Sequence, residues 1–125
     1  MGKTRTVVDI DSGEILIIPE PKKPKKGGWC RMFQVKLEEL SKDKELRGMP
    51  KDIFLYMVSQ IGYDNICKVP QVKLAREFDT TPQYISKIIK LLKSKKMIIE
   101  ISEEGAMKSY RFNSNYVVKG KLDND

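Results

Sequence analysis

Between Pro70 and Lys96 two helical segments are separated by three polar residues, and this stretch constrains the chain more than any other. Pro70 stands where a helix opens. Gln71 to Phe78 follow, with Val72, Ala75 and Phe78 on one side and Leu74 beside them. Asp79, Thr80 and Thr81 make a tight polar turn. Thr81 is placed to cap the next helix through its side-chain oxygen, and Pro82 takes the favoured first helical position. From there to about Lys95, the residues Ile85, Ile88, Ile89 and Leu92 recur at helical spacing, so one face is apolar. Ala75 suits a close crossing of the two helices, because a larger side chain would push them apart.

The other face of the second helix presents Gln83, Tyr84, Ser86, Lys87, Lys90 and Lys93, with Thr80 and Thr81 just before it. Residues 70–96 hold seven lysines and arginines against two acids, Glu77 and Asp79, so most of the chain's net charge of +7 lies here. An ordinary solvated helix interleaves acids with its lysines. None follows Asp79 in this stretch, and the lysines repel one another unless a polyanion lies alongside. A short helix, a tight turn and a second helix is also the arrangement that lays the second helix in the major groove of DNA. The competing reading is a plain helical hairpin; the basic face argues against it.

Chemistry assigns the roles. Gln83 suits adenine, Thr80 or Thr81 a thymine methyl or a phosphate, and Ser86 is permissive. Tyr84 and Lys87 reach base or phosphate, while Lys90, Lys93, Lys95 and Lys96 lie further along and suit phosphates. The helix carries no arginine, the usual reader of guanine, so A/T-leaning or shape-assisted recognition is expected. Directly afterwards, Met97 to Ile101 forms a strand, Glu103-Glu104-Gly105 a turn, and Lys108 to Phe112 a returning strand. A hairpin in that place completes a winged helix-turn-helix, with Lys108 and Arg111 set to meet flanking phosphates.

Upstream, residues 4–18 read as a hairpin turning at Asp11-Ser12-Gly13. Two strands alone are marginal, so this hairpin needs the main domain or a neighbouring subunit to pack on. Residues 19–28 form a linker with three prolines and Gly27-Gly28. Its Lys22, Lys23, Lys25 and Lys26 make it either a solvated tether or a basic arm on DNA. The stretch from Trp29 to Leu46 becomes helical, with Met32, Phe33, Leu37 and Leu40 as its apolar stripe and Trp29 as a core anchor. Pro50 opens a further helix that buries Ile53, Phe54, Met57, Val58 and Ile61. The turn Tyr63-Asp64-Asn65 leads into a short extended piece from Ile66 to Val69. The expected fold is α+β and mainly helical: a winged helix-turn-helix over 29–120, an N-terminal β-hairpin over 1–18 and a disordered tail over 121–125. The hairpin and the Trp29 to Leu46 helix are the candidate interface of a homodimer.

The sequence has no histidine, no phosphate-binding glycine loop, and two cysteines, Cys30 and Cys67, at no metal or redox spacing. No catalytic, cofactor-binding or metal site and no small-molecule substrate is expected, and the cysteines read as reduced, partly buried thiols. No apolar run approaches a membrane span, and Asp9 and Asp11 cut the apolar residues Val7, Val8 and Ile10, so the N-terminus lacks a signal-peptide core. A cytoplasmic protein without membrane contact is expected.

Several stretches together resemble a known group. These are Val69-Pro70-Gln71, Leu74-Ala75-Arg76-Glu77, Thr80 to Ile85, Ser86 to Leu92, Tyr110-Arg111-Phe112-Asn113 and Val118-Lys119-Gly120. With Asp11 to Leu16, the Trp29 to Leu40 block and the Tyr63-Asp64-Asn65 turn, they are similar to small plasmid replication proteins of the RepL and RepA-like type. Ser114 stands where that pattern commonly has proline, and Val118 where an aromatic is frequent. The resemblance implies binding at a plasmid origin and recruitment of host replication proteins. A transcriptional regulator (a repressor, for instance) on the same fold is the alternative, and an adaptor binding an acidic protein is a further one.

Overall fold

The computed structural model describes residues 4–19, 28–62, 64–102 and 108–119. Among the described residues, four α-helices and two antiparallel sheets make an α+β fold that meets the mainly helical expectation only loosely. The opening hairpin pairs β1 (Thr4–Asp9) with β2 (Ile15–Pro19). Its turn forms because Gly13 takes a φ of +77° and donates its amide to the Asp9 carbonyl, while the Asp9 carboxylate accepts from the Asp11 and Ser12 amides. The surface this hairpin requires is the main sheet. β1 also pairs with β5 (Ile98–Ser102), which pairs with β6 (Ser109–Phe112), which pairs with β4 (Ile66–Cys67). The order is β2-β1-β5-β6-β4, so the hairpin is the outer part of one continuous sheet. The expected linker lysines, the turn at 103–105 and the tail at 121–125 fall outside the described residues.

Helix α2 (Met49–Ser59) and helix α4 (Pro82–Ser94) carry the core, with α3 (Gln71–Glu77) between them in sequence. Ile53, Phe54, Met57 and Val58 of α2 and Ile85, Ile88, Ile89 and Leu92 of α4 are all buried, as their spacing requires. They meet Ile98, Tyr110 and Phe112 from one face of the sheet, and the Phe54 and Phe112 rings lie 5.4 Å apart. Ala75 is buried where α3 joins this core, and Gln71 donates from Nε2 to the Tyr110 hydroxyl at 2.8 Å. The other face of the sheet holds a smaller apolar cluster of Val7, Ile18, Ile66 and Ile101.

Three sequence expectations are corrected. Trp29 is 72% exposed and anchors no core. The Trp29 to Leu46 segment begins as a strand, β3 (Cys30–Met32), paired with β7 (Val117–Lys119). Its helix, α1 (Gln34–Lys42), buries only Leu40 of the expected stripe. Val72 is also exposed; Leu74 and Ala75 are the buried residues of α3.

Asn65 is the knot between α2 and the strands. It adopts φ +66° and is buried. Its side-chain amide donates to the carbonyls of Phe112 (3.3 Å) and Val117 (2.8 Å), and its Oδ1 accepts from the Lys119 amide at 3.1 Å. Beside it, buried Asp64 accepts from Arg5 of β1 and from the Ile66 amide. Leaving such buried groups unpaired costs roughly 1–3 kcal/mol apiece. Asn65→Ala is therefore expected to lower unfolding free energy by about 2–4 kcal/mol. Asn65→Gly relieves the backbone but restores none of the bonds, so it too should unfold at lower urea than the parent chain.

Candidate nucleic-acid interface

Both helices of the α3–α4 pair end in the same way. At the end of α3, the Asp79 amide donates to Arg76 and the Thr80 amide to Ala75 (2.9 Å), with Asp79 at φ +52°. At the end of α4, the Lys96 amide donates to Lys93 (2.9 Å) and the Met97 amide to Leu92 (3.1 Å), with Lys96 at φ +59°. These are Schellman motifs, in which one left-handed residue lets the last carbonyls find donors. The first sets the turn, and Thr81 restarts the helix at once by accepting the Tyr84 amide on Oγ1 at 3.2 Å.

The docked apolar face fixes which residues of α4 meet solvent. Gln83, Lys87, Lys90 and Ser94 follow one another at steps of four, three and four, and all are exposed. They form one line up the helix, opposite the buried isoleucines. Tyr84 flanks the line at 39% exposure, Ser86 flanks the other side half-buried, Thr81 is exposed and Thr80 is half-buried. Neither Lys87 nor Lys90 has an acid partner among the described residues.

The remaining expected cations are placed differently. Lys93 contacts Asp11 of the hairpin turn at 3.2 Å and the buried Glu100 of β5 at 3.0 Å. Burial pushes its ammonium down, but the bonds and charges of Glu100 and Asp11 outweigh this and hold it above the ordinary lysine value. Lys95 bridges Asp43 at 2.9 Å and Glu45 at 3.0 Å, which raise its pKa. Both lysines are thus screened by the chain's own acids, contrary to the expectation of an unpaired row. Lys96 remains exposed. Lys108 is exposed and 3.8 Å from Glu100, on the helix side of the sheet. Arg111 alternates with buried Tyr110 and Phe112 and lies opposite Ile66 and Ile99, so it occupies the sheet face turned away from α4.

Comparison with protein-family models, curated proteins and solved structures returns no match. The site therefore stands on its own geometry. Lys68, exposed just before α3, was not among the expected residues, although a cation two residues before the helix-opening proline is visible in the sequence. Cys67 is buried, which raises its thiol pKa and disfavours the reactive thiolate; Cys30 is half-buried, and both are free. Among the described residues no cluster of metal-ligating side chains occurs, and no helix is long and apolar enough to cross a membrane.

Two outcomes follow for stability. A lysine in the left-handed region is strained where glycine is not, so Lys96→Gly should raise unfolding free energy by about 0.5–1 kcal/mol in denaturant titrations. The hydrogen bond from Lys95 holds the Asp43 carboxyl below its ordinary value, reinforced by the Glu45 and Leu46 amides against a smaller opposing effect of burial. A lowered carboxylate pKa stabilises the fold above the unfolded-state pKa, and the benefit fades as pH falls through the folded-state value. Below about pH 4 the thermal midpoint of the parent chain should therefore fall more steeply than that of Asp43→Asn.

Proposed function

We propose that this chain is a winged helix-turn-helix protein that binds duplex DNA, with the start and middle of α4 in the major groove. The observation that carries this reading is the line of Gln83, Lys87 and Lys90: exposed, without acid partners among the described residues, and directly opposite the face that docks α4 on the core. A helix held this way offers hydrogen-bonding groups near its start and cations along its length. Gln83 reads a base edge, with Thr80, Thr81, Tyr84 and Ser86 around it. Lys87 and Lys90 meet phosphates, and the exposed Lys96 and Lys108 are further candidates for phosphate contact. The sheet hairpin of β5 and β6 stands as the wing. The likeness to plasmid replication proteins of the RepL and RepA-like type supports an origin as the target, with host replication proteins recruited there.

Fluorescence anisotropy with duplexes at graded salt tests this. Lys87→Ala and Lys90→Ala should each weaken binding on every sequence and reduce the salt slope by about 1. Lys95→Ala, which removes a cation already bonded to Asp43 and Glu45, should leave the slope nearly unchanged. Gln83→Ala should alter sequence preference instead. No detectable binding at low salt, or equal slopes in all three lysine variants, would contradict the assignment.

A further inference from the structure

Strand β2 closes one side of the five-stranded sheet, and no strand among the described residues pairs with its outer edge. The hairpin shows which main-chain groups face outward. The Asp9 amide donates to the Glu14 carbonyl at 2.9 Å, and the register continues with Val7 opposite Leu16 and Arg5 opposite Ile18. Bonded and non-bonded pairs alternate along an antiparallel ladder. Glu14, Leu16 and Ile18 therefore direct their main-chain groups to β1, and Ile15 and Ile17 direct theirs away from the sheet. The side chains of Ile15 and Ile17 are 66% and 73% exposed. Edge strands are ordinarily guarded by charges, prolines or bulges; Ile15 to Ile18 contains neither charge nor proline, and Pro19 stands only at the end of the strand.

We propose that β2 is a self-association edge, where a second copy of this chain pairs its own β2 antiparallel with Leu16 opposite Leu16 on the two-fold axis. In that register Ile15 of each copy faces Ile17 of the other, and each such pair exchanges two N–H···O=C bonds. The exposed isoleucines then cover one another on one face of the joined sheet. On the other face the two leucines meet, extending the cluster that Leu16 already makes with Val7 and Ile18. A two-fold axis makes one strand donor and acceptor for its own copy, so a single sequence satisfies both sides. Charge also selects the place. Copies of a chain with net charge +7 repel over most of their surface, and β2 is an uncharged stretch where they meet without that cost. This inference is independent of DNA binding.

Sedimentation velocity of the full chain without DNA, over a range of concentrations, is expected to show a species of twice the 14.4 kDa monomer. The double variant Ile15→Lys, Ile17→Lys alters only exposed positions. It should keep the circular dichroism of the parent and raise the dimer dissociation constant by at least about tenfold. Leu16→Cys in a Cys30→Ser background supplies a second readout. Directly opposed non-bonded residues sit about 4.5 Å apart at Cα, within disulfide reach, so mild oxidation should yield a cross-linked dimer. A monomer at every concentration overturns the proposal. So does a dimer that the lysine pair leaves equally tight, or one that does not cross-link at position 16; should the lysine variant unfold, the cross-link decides.

Discussion

The docking of α4 on the core sets the orientation of everything around it. Four isoleucine and leucine side chains on one face are buried against α2 and the sheet. Each contributes roughly 1.5–3 kcal/mol, whereas repulsion between neighbouring lysines on a helix is worth a few tenths. Burial therefore decides which way the helix turns, and the lysines accept the position it imposes. The line of Gln83, Lys87 and Lys90 is exposed because it lies opposite the stripe, not because it is charged.

The charge of the helix is nonetheless divided along its length. Toward its end, Lys93 and Lys95 draw acids from the hairpin, β5 and the turn after α1. Cations near a helix C-terminus also suit the helix dipole. Through Asp11, Asp43 and Glu45 these lysines join elements that are distant in sequence. In the middle of the helix Lys87 and Lys90 meet no such partners among the described residues.

Local rules made much of this visible beforehand. The periodicity of α2 and α4, the Thr81 cap, the proline starts and the β5–β6 hairpin all depend on residues close in sequence. Long-range pairing accounts for much of the rest. Asp11 lies far from Lys93 in the chain, as do Asp43 and Glu45 from Lys95, and no local spacing announces such contacts. The pairing of β1 with β5 was equally hidden, although the need of the hairpin for a surface was clear. Trp29 and Val72 were misplaced because apolar character alone does not say which face a short segment turns inward. Arg111 was different: its place between Tyr110 and Phe112 already implied the far side of the sheet by simple alternation.

The matched endings of α3 and α4 carry one more implication. The turn between the helices is closed by main-chain hydrogen bonds and the Thr81 hydroxyl, with almost nothing asked of the outward side chains. The frame and the lettering on it are thus held by different atoms. Residues at 83, 87 and 90 can therefore be exchanged without tilting the scaffold that displays them, and under the proposed reading single surface exchanges would shift target preference.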